Sequence, residues 1–196
     1  MRMNLGGDQL TRRKLVKAGL LGAATAIVPI GANAAQWTVE LANFIVRPAT
    51  SRALSFYNVH TGETLKTVYF DRGAYLPDAL LGVDYFFRDF RTNQVKAIDP
   101  RLLDLLHRIN QALDTSQPFN LISGYRSPET NAWLANQSEG VARHSLHMYG
   151  MASDINVQGR SLALLQMVAL AMRGGGVGYY PRSNFVHVDT GRVRRW

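Results

Sequence analysis

The chain has 196 residues, a formal net charge of +8 and no cysteine. That length accommodates one domain with a substantial apolar core, and the missing cysteines exclude thiol nucleophiles, thiolate metal sites and lipid attachment through sulfur. The positive balance suits an anionic polymer or surface as partner without singling out nucleic acid.

At the amino terminus, Arg12, Arg13, Lys14 and Lys17 precede an apolar run from Ala18 to Ile30. Ala32-Asn33-Ala34 comes next with the small-x-small pattern of a cleavage site, which predicts an export segment over 1–34 and a mature domain over 35–196. The run has about thirteen residues, short of the roughly twenty that cross a bilayer, so no stable membrane span is expected after cleavage. The paired Arg12 and Arg13 resemble the signal of the twin-arginine export machinery, a bacterial address whose destination is the periplasm. Without residues 1–34 the chain keeps 162 residues and a charge of +4.

The mature part opens with a loosely alternating stretch, Ala35–Val46, expected to be a strand or extended arm. Arg52–Val59 and Thr64–Phe70 alternate around the turn His60-Thr61-Gly62-Glu63 and predict a β-hairpin, with His60 exposed on the loop. Leu76–Tyr85 predicts a short helix, with Asp84 capping the next element. Tyr85–Phe90 is a dense aromatic cluster that reads as a plug joining the hairpin to the helical half, with Asp84, Arg88 and Asp89 facing solvent. Asp99-Pro100 opens the strongest helix: an aspartate cap, proline in the first turn, and Leu102, Leu103, Leu105, Leu106, Ile109 and Leu113 on one face. His107 on that helix reads as structural.

Phe119–Ile122 predicts a short strand ending in Ser123-Gly124-Tyr125-Arg126, and Ser127-Pro128 opens a further helix. Ile155–Val157 extends from Asp154, Leu162–Arg173 is helical, and Gly174–Gly176 leads into a last hairpin, Val177–Tyr180 and Phe185–Asp189. The three glycines lack the Lys-Ser/Thr that would make them a phosphate loop. The tail Gly191–Trp196 carries only Arg192, Arg194 and Arg195, so it reads as a surface contact or a cap on the last strand; no nucleic-acid partner is expected.

The chemistry concentrates in Arg143–Asp154, RHSLHMYGMASD, and in Phe185–Asp189, FVHVD. His147 and Asp154 lie seven residues apart, too far for one helical face, so a turn must bring them together around Gly150 and Ala152. Strand alternation places Asp154 with Asn156, and His187 with Asp189. Any one of these residues reads equally well as structural. Together, two histidines and a carboxylate make the donor set of a catalytic zinc that keeps a position open for water.

SGYRSPETN (Ser123–Asn131), SLHMYGMASD (Ser145–Asp154) and GVGYYPRSNFVHVDTG (Gly176–Gly191) resemble the M15-type zinc peptidases that act on peptidoglycan, and within them the MepK-like murein endopeptidase branch. The likeness is densest over about 99–196. It implies a single small α+β domain, an antiparallel sheet with helices packed on one side, similar to zinc D-Ala-D-Ala carboxypeptidases. It implies Zn2+ held by His147, Asp154 and His187, and Arg126 contacting a substrate carbonyl or carboxylate. The family places an acidic general base three positions before its last histidine ligand; here that position is Asn184. Asp189 and His144 are the replacements at hand, Asp189 also as the group that fixes the His187 tautomer. The implied activity is hydrolysis of murein peptide cross-links, with carboxypeptidase action or non-catalytic peptidoglycan binding as alternatives.

Overall fold

A computed structural model describes residues 51–137 and 141–196, so the export segment expected over 1–34 and the strand or arm expected over Ala35–Val46 lie outside the described residues. The hairpin is β1 (Arg52–Asn58) and β2 (Thr64–Asp71), extended by the short β3 (Ala74–Tyr75). Helices α1 (Pro77–Phe86) and α2 (Pro100–Leu113) come next, then β4 (Phe119–Ser123) and α3 (Pro128–Gln137). The remaining elements are β5 (Ala152–Val157), α4 (Leu162–Met172), β6 (Gly176–Tyr180), β7 (Phe185–Asp189) and β8 (Arg194–Arg195).

The strands form one sheet in the order β3-β2-β1-β4-β5-β7-β6-β8, and the helices pack on one side of it. The sheet is mixed rather than wholly antiparallel. β1 runs parallel to β4, and β6 parallel to β8, while the other neighbours are antiparallel. The segment from β1 to β4 contains the hairpin return and two helices, long enough to bring the chain back in the same direction. Alternation reveals which side chains share a face but not which strands become neighbours.

Helix α2 forms as its sequence dictates. The Asp99 carboxylate accepts from the Arg101 N–H at 2.9 Å, Pro100 occupies the first turn, and the leucine face is wholly buried. That face meets α4 through Leu165 and Ala169 and the sheet through residues such as Leu54 and Val157. Each buried leucine contributes about 1.5–3 kcal/mol, offset by the cost of ordering it. The aromatic plug is made by Phe86 and Phe87, both buried, with Phe56 of β1 edge-on to Phe87 at 5.1 Å and Phe119 of β4 at 6.0 Å from Phe56.

The charged residues around the plug do not face solvent as their sequence context suggested. Asp84 is half-buried inside α1, and its carboxylate accepts from the Ile98 N–H at 2.8 Å instead of capping the next element. Asp89 is buried and accepts from the backbone of Ser127 and of Arg91. Arg88 grips Glu63 of the hairpin turn with both Nη atoms at 3.0 Å. The irregular stretch from Phe87 to Ile98 leaves backbone donors without a helix or strand partner, and a buried N–H must be satisfied by something.

On the opposite edge, Asp104 of α2 collects Arg52 at 2.6 Å, the Tyr69 hydroxyl at 2.9 Å and the Tyr75 hydroxyl at 2.7 Å. Burial works against its charge, and the hydrogen bonds from Arg52, Tyr75 and Tyr69 outweigh burial, holding the carboxyl below its usual range. Asp104→Ala leaves the buried Tyr69 hydroxyl without its acceptor and is expected to cost about 2 kcal/mol in denaturant unfolding. Because the folded pKa is depressed, the contribution is complete above about pH 4 and is lost as pH falls through the folded value. The stability gap between wild type and Asp104→Asn should therefore narrow in acid; a gap that widened below pH 4 would contradict this account.

Candidate metal centre

Antiparallel pairing of β5 with β7 sets Asp154 directly opposite His187, and Ala152 opposite Asp189. Partners across a ladder share a face, so the register alone brings the carboxylate and the imidazole together. His147 arrives from a 3-10 turn, Leu146–Tyr149, capped by Ser145 and closed by Gly150. Gly150 has φ 67°, and a Cβ there would lie 2.2 Å from the Ala97 carbonyl oxygen, so this bend requires glycine. The bend lets the chain reverse and enter β5 within the seven-residue interval.

The three side chains are buried and converge on one point. His147 Nε2 is 3.2 Å from Asp154 Oδ1, His187 Nδ1 is 2.9 Å from the same oxygen, and the two nitrogens are 3.1 Å apart. The far side of each ring settles its tautomer. His147 Nδ1 lies 2.6 Å from the Gly124 carbonyl, which can only accept, so Nδ1 carries the hydrogen and Nε2 a lone pair. His187 Nε2 lies 3.1 Å from Asp189 Oδ2, so in the neutral ring Nδ1 carries the lone pair. Two lone pairs and a carboxylate oxygen thus face one another with no donor among them, an arrangement that only a proton or a cation relieves.

Three ligands of a tetrahedral zinc with bonds of about 2.0–2.1 Å stand about 3.3 Å from one another. The donor triangle fits that face closely, and His147, Asp154 and His187 form a cluster capable of coordinating a metal ion.

The local charges come from the same geometry. Burial lowers the His147 pKa to about 4, despite the neighbouring Asp154, so its imidazole is neutral at ordinary pH. His187 is also penalised by burial, but hydrogen bonds to Asp154 and Asp189 raise its pKa. For Asp154, burial opposes ionisation, and its neighbours His147, Arg126 and His187, through hydrogen bonds and the Arg126 charge, hold it well below the usual carboxylate range.

Around the triangle, Arg126 donates from Nε to Ser123 Oγ at 2.8 Å and from Nη2 to Asp154 Oδ2. Its Nη1 makes no hydrogen bond among the described residues. Asp189 stands behind His187 and away from the donor triangle. It is fully buried and accepts from His187, from the N–H of Gly176 at 2.9 Å and Gly191 at 2.8 Å, and from both Nη atoms of Arg194. The triangle opens on a cavity of about 620 Å³ whose lining includes Arg126, His144 and Trp196 but not Asp189. His144 is exposed on that wall. Asn184 ends the turn after β6 with φ 55° and does not line the cavity, although Ser183 and Phe185 on either side do.

Several participants carry no signature in the sequence. Gly124 acts through its carbonyl, which no side-chain motif announces. Arg194 and Trp196 come from the basic tail: β8 pairs with β6, Arg194 reaches Asp189, and the Trp196 ring lies 5.3 Å from that of His187. Gly178, opposite His187 in β7, makes room, since a Cβ there would lie 2.7 Å from the indole. The proximity of R-V-R-R-W to FVHVD in the chain was the available signal.

The wild-type protein should bind one equivalent of zinc by metal analysis. His147→Ala, Asp154→Ala and His187→Ala should each weaken zinc at least about 100-fold in chelator competition. Wild-type affinity in any one of them would remove that residue from the centre.

Comparison with known proteins points the same way. The family model described as "Peptidoglycan L,D-endopeptidase MepK" matches residues 47–196, which includes the hairpin as well as the motif-bearing half. The protein of that name from Escherichia coli K12 is 46% identical over 185 residues, covering 94% of this chain and 96% of the relative. The Shigella flexneri protein matches equally, and a "Probable peptidoglycan L,D-endopeptidase MepK" from Haemophilus influenzae is 44% identical over 146 residues, 74% of this chain and 78% of its own. With a model match across the described domain and a donor triangle at its centre, the chain belongs to the MepK family of M15-type zinc peptidases.

Proposed function

We infer that this protein is a zinc-dependent peptidoglycan endopeptidase that hydrolyses peptide cross-links, of the L,D type for which its relatives are named. The observation that carries the reading is the trio of buried acceptors aimed at one point on the wall of a cavity. Carboxypeptidase action is the weaker reading, since the named relatives are endopeptidases.

When bound, zinc supplies a Lewis acid that polarises the scissile carbonyl and acidifies water at its open position. The chain's own residues do the rest. His147, Asp154 and His187 would hold the ion, and the Gly124 carbonyl and Asp189 lock the two rings in orientation. Arg126, fixed by Ser123 and Asp154, has one Nη without a partner among the described residues, and that group meets the oxygen that becomes negative. His144, which lines the cavity without any hydrogen bond among the described residues, moves the proton between water and the leaving amine. Asp189 is a positioning residue in this scheme, because four groups already claim its oxygens on the far side of His187.

The two roles separate in experiment. With cross-linked murein as substrate and products resolved chromatographically, His144→Gln should lower kcat about 100-fold and leave zinc affinity unchanged. Asp189→Asn should weaken zinc about 10–100-fold and recover activity in excess zinc. Failure of the zinc-loaded wild type to release any peptide would overturn the hydrolase reading.

For the amino terminus we propose that residues 1–34 direct the mature domain 35–196 to the periplasm by the twin-arginine route, on the strength of Arg12-Arg13, the short apolar run and the Ala32-Asn33-Ala34 site. Replacement of Arg12 and Arg13 by Lys should leave the full-length precursor in the cytoplasmic fraction. Normal processing of that variant would point to the general secretory route.

A further inference from the structure

The cavity wall beyond the donor triangle carries a basic residue that the proposed chemistry does not use. Arg91 lies just past the aromatic plug, and its backbone N–H is fixed to the buried Asp89 at 3.0 Å. Asp89 in turn holds the start of α3 through Ser127, so the base of the Arg91 side chain is anchored to the fold. Its guanidinium carbon lies 4.2 Å from the centre of the Phe90 ring and 5.6 Å from that of Trp133. Phe90 is itself stacked on His60 at 4.1 Å. Aromatic faces hold a guanidinium by its plane and leave the N–H groups on its edge available.

Among the described residues those N–H groups have no partner. Among the described residues, no carboxylate lies within ion-pair distance of Arg91 and its guanidinium makes no hydrogen bond. Its two arginine neighbours on the wall are engaged, Arg126 with Asp154 and Arg194 with Asp189. Among the described residues, Asp154 is the only carboxylate lining the cavity, and the two histidines and Arg126 share it. Among the described residues, the wall therefore presents one guanidinium held on aromatic faces, in no ion pair and with both Nη atoms free, its charge offset only through space by Asp89. Arg91 is exposed as a residue, yet the desolvation its guanidinium does undergo, with repulsion from Arg126, outweighs the attraction of Asp89 and lowers its pKa, a penalty that a bound anion would reverse.

We propose that Arg91, seated on Phe90 and Trp133, is a carboxylate-binding subsite of the cavity that takes a free carboxylate of the peptidoglycan peptide away from the bond that is cut. The proposal rests on the peptidoglycan reading above. A planar carboxylate matches the fork of a guanidinium with two parallel hydrogen bonds, which a neutral amide cannot reproduce. Stem peptides offer such a group at the main-chain end and on side chains, and the subsite reads the chemistry common to both.

The test is calorimetric binding of an uncrosslinked stem peptide, which offers no cross-link to cut, to the zinc-loaded mature protein. The peptide is used as the free acid, amidated only at its main-chain terminus, and amidated only on its side-chain carboxylate. One of the two amidations should weaken binding to the wild type about tenfold or more, which identifies the source of the carboxylate. Arg91→Gln should weaken the free acid to the same extent and become indifferent to that amidation, while Arg91→Lys keeps part of the preference. Equal sensitivity to amidation in wild type and Arg91→Gln would overturn the proposal, as would unchanged affinity in Arg91→Gln or no binding of the free acid. Binding is read without turnover, so a protein that shows this pattern yet cuts no murein would refute the hydrolase and leave the subsite standing.

Discussion

The structure depends on one electrostatic constraint: three acceptor atoms, from the buried side chains of His147, Asp154 and His187, brought within about 3 Å of one another at the wall of a cavity. Buried acceptors without a donor are costly, and the cost grows as the local dielectric falls. A chain that keeps such a cluster must hold the side chains there by force of packing and let a cation settle the charge. The surrounding architecture can be understood as the means of doing so.

The means are mostly backbone. Strands β5 and β7 are central, paired on both sides, and their register leaves Asp154 and His187 no freedom relative to one another. Residues along β5 are buried on both faces except Asn156, so the strand cannot slip without exposing its apolar side chains. The third ligand is aimed by a carbonyl on the loop after β4, and the neighbouring strand β6 yields its place opposite His187 to a glycine. Around this frame the charges are arranged in pairs, Arg126 on Asp154 and Arg194 on Asp189, so that both buried carboxylates of the centre have a compensating cation.

Much of this could be read in the sequence, and the parts that could not share a physical cause. The hairpin, helix α2 and the last β-turn-β unit were legible because local rules govern them: alternation, an aspartate cap before proline, and turn residues between apolar runs. The donor set was legible because Asp154 and His187 sit on alternating strands and His147 precedes a glycine that must turn. Strand order was not, since β1 beside β4 is a choice among distant partners. Nor was the burial of Asp84 and Asp89: a carboxylate that serves backbone N–H groups looks, in one dimension, like a carboxylate in solvent. Arg194 escaped for a similar reason, because a basic tail advertises charge and conceals the buried aspartate that the charge answers.

The brace on His187 has a temporal consequence. Arg194 and Trp196, which hold Asp189 and cover the imidazole, come after every metal donor in the order of synthesis. A nascent chain that has reached Asp189 contains all three donors but lacks the guanidinium that makes the buried aspartate tolerable. Translation itself thus delays a finished centre until the sheet receives β8, and a chain clipped before Arg194 keeps the donors without the support that aims one of them.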